Sequence, residues 1–288
     1  MKTFKKDFQR VEGRIAPLTL DYIRKFLNQG CNDIYLLRYG LIHRIGAVHY
    51  HAKLLDDYIG KITHLANGPY DDYIHREMQL NFRLSYFFDD LIFNMMSFYD
   101  YFAGFLCYIA YDKEIRERAE GYNPLNDKEH KYEHLSEALY NMSWTSVAKL
   151  SKKEPEQKQL LGIQENRFYQ TELAKVIDEH DQKFVEQLSR FRNRIIHNEV
   201  SSPIINVTLV GAGQNKVRFQ TPKNLIERFP DYPQELDEAT EVMLNSFLDG
   251  VEKIVLAMRD YVENNRRIPK GEEIYKYKSE IEEGDNSD

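Results

Sequence analysis

The chain has few of the residues that interrupt or crosslink a fold. It contains only 9 prolines and 14 glycines among 288 residues, so several long segments carry no residue that would end a helix. Its 2 cysteines, Cys31 and Cys107, form no Cys-x-x-Cys motif, which argues against a disulfide framework and favours a reducing compartment. The composition therefore favours long helices in a cytoplasmic protein over a disulfide-rich secreted fold.

Long hydrophobic runs are also lacking. The first twenty residues contain no apolar segment of the signal-peptide type, and the most apolar stretch, residues 91–111, is interrupted by Asn94 and Asp100. We therefore expect neither a signal peptide nor a membrane span, and we interpret this stretch as a buried helix. The net charge of −7 argues against a general polyanion binder, so any contact with nucleic acid requires a local basic patch.

Apolar residues in helical spacing are abundant. They make up 42% of the chain, and 20 Tyr and 16 Phe contribute to them. Apolar positions that recur with the period of an amphipathic helix predict helices at 18–28, 33–65, 71–117, 134–150, 172–198 and 236–265. The expected fold class is therefore all-α, a bundle of long antiparallel helices.

One segment departs from the helical pattern. Residues 205–210 and 216–220 alternate between apolar and polar side chains and enclose a glycine-rich turn, which predicts a small β-hairpin at about 204–221. Basic residues in and after this hairpin could guide a nucleic acid, although a solvated strand face is the commoner explanation: Lys216, Arg218, Lys223 and Arg228. The expected domains are a helical extension (1–70) packed on the bundle, the main helical domain with the hairpin (71–265) and an acidic, flexible tail (266–288).

A polar motif lies late in the fifth predicted helix. Arginine followed five positions later by histidine occurs three times in the chain, but asparagine follows the arginine only in Arg-Asn-Arg-Ile-Ile-His at 192–197. Asn193 and His197 are four residues apart, so their side chains can meet on one helix face. That face also carries Arg190 and Arg194 and points away from the apolar stripe of the helix. The motif is therefore a candidate functional site.

Arg192 differs from its neighbours in position. On an ideal helix it lies at the border of the apolar stripe, where an arginine is costly unless it is paired or at an interface. It is also about 140° from His197 around the helix axis, so the two converge only if the arginine wraps around, the helix bends or a second subunit completes the site. In the structural alternative, both residues satisfy polar neighbours near a helix C-terminus, where cations are favoured.

The motif in this setting resembles the HEPN superfamily (higher eukaryotes and prokaryotes nucleotide-binding). The preceding aromatic helix, Ser-Phe-Tyr-Asp-Tyr-Phe-Ala-Gly-Phe-Leu at 97–106, is also similar to HEPN domains of bacterial defence and toxin proteins. The resemblance covers about residues 75–265, and its specific part is the six-residue motif. It implies a metal-independent endoribonuclease without a cofactor, acting on RNA as a homodimer. It further implies a toxin or phage-defence role, with an antitoxin or another defence protein as partner and no membrane.

The resemblance also implies roles for individual residues. His197 would be the general acid or base, Arg192 would stabilise charge on the scissile phosphate, and Asn193 would orient the histidine or the phosphate. Arg190 and Arg194 would bind the RNA. Such a site needs no metal, because histidine moves the protons and arginine supplies the positive charge.

Two carboxylates bear on this site. Asp100, inside the aromatic helix, would accept a hydrogen bond from Arg192 or His197, and the alternative is a structural hydrogen bond to a tyrosine hydroxyl. Glu199 stands where nucleotidylated toxins of the superfamily carry tyrosine, so we do not expect that form of control. Since some HEPN domains are inactive, the alternative function is a non-catalytic helical module that binds nucleotides or another protein.

Three histidines on the second predicted helix are unlike a metal site. His43 and His51 are two helical turns apart, too far to share an ion, and His49 and His51 do not face each other. A polar helix face is the preferred interpretation, and no metal is expected.

Overall fold

The fold is all-α with one β-hairpin, as the apolar spacing predicts. The structure is a computed structural model that describes residues 8–15, 32–66, 77–109, 143–152, 170–196, 204–210 and 214–265. The elements in chain order are α1 (8–15), α2 (Asn32–Ala66), α3 (Glu77–Ile109), α4 (Trp144–Ser151), α5 (Glu172–His180), a π-helical segment (Asp181–Val185), α6 (Glu186–Ile196), β1 (Ile204–Val210), β2 (Gln214–Gln220), α7 (Lys223–Ile226) and α8 (Leu236–Asn265).

The long predicted helices are confirmed where the chain is described. α2 and α3 occupy most of the predicted helices at 33–65 and 71–117, and α8 matches its prediction at both ends. Several predicted segments lie wholly or partly outside the described residues: 18–28, 71–76, 110–117, 134–142 and the tail at 266–288. α1, the π-helical segment and α7 are additions that the apolar spacing does not predict.

α2 and α3 run antiparallel. His51 on α2 lies 3.8 Å from the carboxylate of Asp90 on α3, measured from Nδ1 to Oδ2. One to two turns further along α2, the ring of Tyr58 packs edge-on against Phe87, with centroids 5.1 Å apart. Residue numbers rise along one helix as they fall along the other, so the two helices point in opposite directions.

The described residues divide into two compact units. The first contains the described parts of Met1–Arg10, His43–Ser97 and His180–Gly250, and the second those of Val11–Ile42, Phe98–Glu179 and Val251–Asp288. The boundaries fall inside α2, α3 and α8, so neither unit is one continuous stretch of sequence. The predicted domain boundary at residue 70 lies outside the described residues, and the three-part organisation stays a prediction.

The core of the first unit holds α6 against two other elements. Phe191 on α6 packs edge-on against Phe88 on α3, with ring centroids 6.3 Å apart. Phe184, one turn before α6, lies 6.1 Å from Phe229, which follows α7. All four rings are buried, and burying a side chain of this size contributes about 2–3 kcal/mol each. The apolar stripe that includes Phe184 and Phe191 is therefore fixed by the chain after α7 at Phe184 and by α3 at Phe191.

The core of the second unit is aromatic. Trp144, the first residue of α4, packs against Tyr99 at a centroid distance of 4.9 Å and against Phe102 at 6.4 Å. These rings belong to the apolar stretch of α3, and their burial confirms that this stretch lies in the core. No helix in the described ranges is both long and apolar enough to span a membrane.

The β-hairpin is antiparallel, with Ile205 opposite Phe219 and Val210 opposite Gln214. Ile205 and Phe219 are buried, so this cross-strand pair attaches the hairpin to its unit. β2 begins at Gln214, earlier than the predicted 216, because pairing continues to the end of β1. A bridge from Gln220 to Glu235 and a hydrogen bond from Thr221 N–H to the carbonyl of Gln234 (2.8 Å) join the hairpin to the start of α8.

Candidate functional site

The apolar face of α6 sets the direction of the motif residues. Leu188 and Phe191 are buried, and Asn193, which is about 200° from Phe191 on an ideal helix, is exposed as predicted. Ile195, which continues the apolar spacing of Leu188 and Phe191, is only half-buried, and Ile196 is 54% exposed. Both isoleucines stand in the last turn of the described helix, where fewer side chains cover them.

Arg192 is half-buried and carries a donor without an acceptor. Its Nη2 donates a hydrogen bond to Oδ1 of Asn193 at 3.1 Å. Its Nε is buried and has no hydrogen-bond partner, and no carboxylate pairs with this guanidinium among the described residues. An unsatisfied buried donor costs about 1–3 kcal/mol, and more when the group is charged. Arg192 thus has the position at the core border that the sequence predicts, and no described residue supplies the partner that would make it purely structural.

Arg190 and Arg194 each contact a carboxylate. Arg190 forms a hydrogen-bonded ion pair with Glu186, one turn earlier on the same helix. Nη1 of Arg194 lies 3.2 Å from Oε2 of Glu227, just after α7. Exposed pairs of this kind contribute only about 0–1 kcal/mol, so an incoming anion can displace either carboxylate. The predicted role of these arginines in binding RNA stays a prediction, and it requires such an exchange.

Asp100 has a structural partner on α4. The residue is exposed, and its Oδ1 accepts a hydrogen bond from the main-chain N–H of Trp144 at 3.4 Å. Trp144 is the first residue of α4, where N–H groups lack intrahelical partners and the helix dipole favours an anion. This structural bond goes to a main-chain amide, whereas the sequence suggested a tyrosine hydroxyl. The predicted contact of Asp100 with Arg192 or His197 stays a prediction.

His197 and Glu199 lie outside the described residues, because the description of α6 ends at Ile196. The structure therefore gives the position of two predicted catalytic residues, Arg192 and Asn193, and brings their side chains into contact. The roles of all three motif residues remain predictions.

Sequence reasoning missed the two acids that contact the flanking arginines. Glu186 could have been found, because acidic and basic residues four apart on a helix commonly pair. Glu227 is 33 residues from Arg194, and no local pattern in the sequence connects the two. Their pairing depends on the packing of Phe184 against Phe229, a tertiary contact.

A π-helical segment also lies on the motif helix. Between α5 and α6, residues 181–185 take the wider π turn, and Asp181 is buried there. His180, directly before it, stacks on Phe184 and packs tightly against Gly250 of α8. The lone glycine inside an apolar helix was the available signal, because such a residue often marks a close approach.

The histidines of α2 have separate surroundings. His49 stacks on Phe8 of α1 with ring centroids 4.7 Å apart, whereas His51 lies beside Asp90 of α3. Over the part of the chain that the structure describes, no three His, Cys, Asp or Glu residues are arranged to hold a metal ion.

Comparison with known proteins gives no relative: no family model, no curated protein and no solved structure matches this chain.

Proposed function

We propose that this protein is a metal-independent endoribonuclease of the HEPN type, acting in the cytoplasm in a toxin or phage-defence role. The observation that carries the proposal is the state of Arg192. Its guanidinium is half-buried, holds Asn193 with one nitrogen and has a buried Nε without an acceptor among the residues described. Arginine binds phosphate oxygens through two parallel N–H groups, so a phosphodiester is the kind of ligand that supplies the missing acceptor.

The proposed chemistry breaks one phosphorus–oxygen bond. His197 takes the proton from a ribose 2′-hydroxyl, and the 2′-oxygen attacks the adjacent phosphorus. The bond from phosphorus to the 5′-oxygen breaks, and the leaving oxygen receives a proton from the protonated His197 or from water, so that no net proton is gained or lost. The products are a 2′,3′-cyclic phosphate and a 5′-hydroxyl. Arg192 stabilises the negative charge that develops on the phosphate oxygens.

Asn193 has a positioning role in this scheme. Its Oδ1 accepts the hydrogen bond from Arg192, which limits the rotation of the guanidinium and leaves the other nitrogens for the phosphate. The proposed reaction therefore needs both side chains, but only Arg192 forms an ionic contact with the substrate.

A homodimer is part of the proposal. Arg192 and His197 are about 140° apart around an ideal helix, so one straight helix directs both at the same phosphate only if the arginine wraps around it. A two-fold symmetric pair of subunits resolves this, because Arg192 of one subunit then meets the histidine of the other.

A non-catalytic helical module that binds nucleotides or a protein is the second candidate. It is favoured by the pairing of Arg190 with Glu186 and of Arg194 with Glu227, which reduces the positive charge available to RNA. The net charge of −7 acts in the same direction.

The two candidates are separated by incubating the protein with total RNA and a tRNA panel in EDTA, beside four variants. We expect cleavage by the wild type and losses on the order of 10²-fold or more in Arg192→Ala and His197→Ala. Asn193→Ala should lose less, because it acts through Arg192. Arg10→Ala removes an exposed arginine 3.8 Å from Asp249 and serves as the control, with unchanged cleavage. Absence of cleavage by the wild type favours the non-catalytic module.

A further inference from the structure

Two arginines in the first unit share one unusual property. Of the buried side-chain atoms without a hydrogen-bond partner in the described ranges, two are guanidinium nitrogens, Nε of Arg192 and Nε of Arg228. Arginine stays charged at any physiological pH, so it cannot avoid the cost of burial by losing a proton. Each Nε therefore lacks an acceptor among the described residues, and a phosphate oxygen is one group that could supply it.

Arg228 lies beside the helix that carries the motif. The residue before it, Glu227, contacts Arg194 of α6 at 3.2 Å. The residue after it, Phe229, packs on Phe184 of the same helical stretch at 6.1 Å. Arg228 therefore lies between two residues, Glu227 and Phe229, that both contact the helical stretch carrying the motif.

The backbone around Arg228 is held by short-range hydrogen bonds. The N–H groups of Arg228 and Phe229 both donate to the carbonyl of Leu225, at 3.0 and 2.9 Å, and that of Tyr232 donates to Phe229 at 3.0 Å. Phe229 is buried, and Tyr232 stacks on it with centroids 4.5 Å apart. Arg228 itself is half-buried, and the backbone that carries it is ordered by these main-chain hydrogen bonds.

On α6, Arg192 points away from the side that contacts Glu227, the residue before Arg228. Arg192 and Arg194 are about 200° apart on an ideal helix, and it is Arg194 that faces Glu227 and the chain after α7. A strand that runs from Arg192 to Arg228 crosses the outward face of α6 and passes over the exposed Asn193. Since an α-helix with its side chains is about 10–12 Å wide, such a strand presents more than one phosphate to it.

We propose that Arg228 binds a second backbone phosphate of a single-stranded RNA whose scissile phosphate lies at Arg192. This inference rests on the proposed function and adds a binding residue to it. Single-stranded RNA fits the two arginines because its phosphates repeat along a flexible chain, and backbone contacts of this kind carry no base specificity.

The test uses RNA with 2′-O-methyl groups, which lacks the nucleophile and stays uncleaved. Its dissociation constant is measured over a range of salt concentrations for the wild type, Arg192→Gln, Arg228→Gln, Arg228→Lys and the control Arg10→Gln. Each phosphate contact on a single strand contributes about 0.7 to the slope of log affinity against log salt. We expect Arg228→Gln to bind several-fold more weakly with a slope smaller by about 0.7, and Arg228→Lys to keep most of the slope. Arg10→Gln, at an exposed arginine 3.8 Å from Asp249, should resemble the wild type.

Failure of this inference and failure of the proposed function give different results. If the wild type binds and Arg192→Gln weakens binding while Arg228→Gln keeps affinity and slope, the inference is wrong and the proposed function stands. If the wild type does not bind the RNA, both are wrong. A fall in melting temperature for Arg228→Gln without a change in slope assigns this arginine a structural role and also contradicts the inference.

Discussion

Arg192 combines two environments at the scale of a single residue. Its side chain is half-buried at the border of the core. Nη2 donates a hydrogen bond to Asn193, whereas Nε has no acceptor among the described residues. A lysine at this position would keep the charge but lose the planar fork that matches a phosphate. The position at the core border follows from helical spacing in the sequence. The missing partner does not, because it depends on which side chains the fold brings near.

Tyr232 allows a test of how a buried hydroxyl affects the stability of the first unit. Burial raises the pKa of Tyr232 to about 12, and the nearby Ser246 lowers it slightly. The Ser246 hydroxyl donates its proton to the carbonyl of Val242 at 2.9 Å, so the Tyr232 hydroxyl has no well-formed hydrogen bond among the described residues. Removing an unsatisfied hydroxyl is close to neutral or stabilising. We therefore expect Tyr232→Phe to melt at or slightly above the wild-type temperature at pH 7.

The same residue predicts a loss of stability at high pH. Its folded pKa is raised from 10.0, so the unfolded chain ionises first. The contribution of the protonated Tyr232 to the free energy of unfolding is complete below pH 10 and is lost as the pH rises through about 12. The difference between the folded and unfolded pKa corresponds to about 2–3 kcal/mol. Urea unfolding at pH 9 and pH 11 should show a smaller loss in Tyr232→Phe than in the wild type. Tyr86→Phe, at a 64% exposed tyrosine, should behave as the wild type, and equal losses in all three proteins would contradict the argument.

Helix pairing at the π-helical segment depends on Gly250. A Cβ atom added there would collide with the ring of His180, although alanine is otherwise the better residue inside a helix. We expect Gly250→Ala to lower the free energy of unfolding by about 1–3 kcal/mol, measured by urea denaturation. Gly60→Ala, where the added Cβ meets nothing within 4 Å, is the matched control and should gain about 0.5–1 kcal/mol.

A double variant shows whether the histidine is the cause. In the His180→Ala background the ring is gone, so Gly250→Ala should cost much less than it does in the wild type, or become stabilising. If the cost is the same in both backgrounds, the collision with His180 is not what requires glycine.

Elements differ in how far the sequence predicts them. α2, α3 and α8 are long enough for their apolar spacing to identify them, and alternation identifies the hairpin. The π-helical segment changes the local hydrogen bonding while apolar residues continue on the same face, so spacing does not reveal it. α7 has four residues, too few for a periodic pattern. Val242 of α8 is apolar but 36% exposed, because the buried stripe of a helix does not cover every apolar residue near it.

At the scale of the whole molecule, the proposed dimer makes a prediction about mixed subunits. Arg192→Ala and His197→Ala should each be inactive alone. If each site takes Arg192 from one subunit and His197 from the other, a mixed dimer contains one intact site. Unfolding the two variants together and refolding them should then restore about a quarter of the wild-type cleavage. No recovery, with mixed dimers shown to form, would mean that each subunit supplies both residues of its own site.

The proposed ribonuclease uses the 2′-hydroxyl of its RNA substrate as the nucleophile and needs no metal. The most direct measurement is the chemistry of the product ends, obtained with a labelled RNA in EDTA. We expect a 2′,3′-cyclic phosphate on one fragment and a 5′-hydroxyl on the other. We also expect no cleavage when a 2′-deoxy nucleotide replaces the nucleotide before the scissile phosphate. A 5′-phosphate product, or cleavage that continues past the 2′-deoxy substitution, would contradict it.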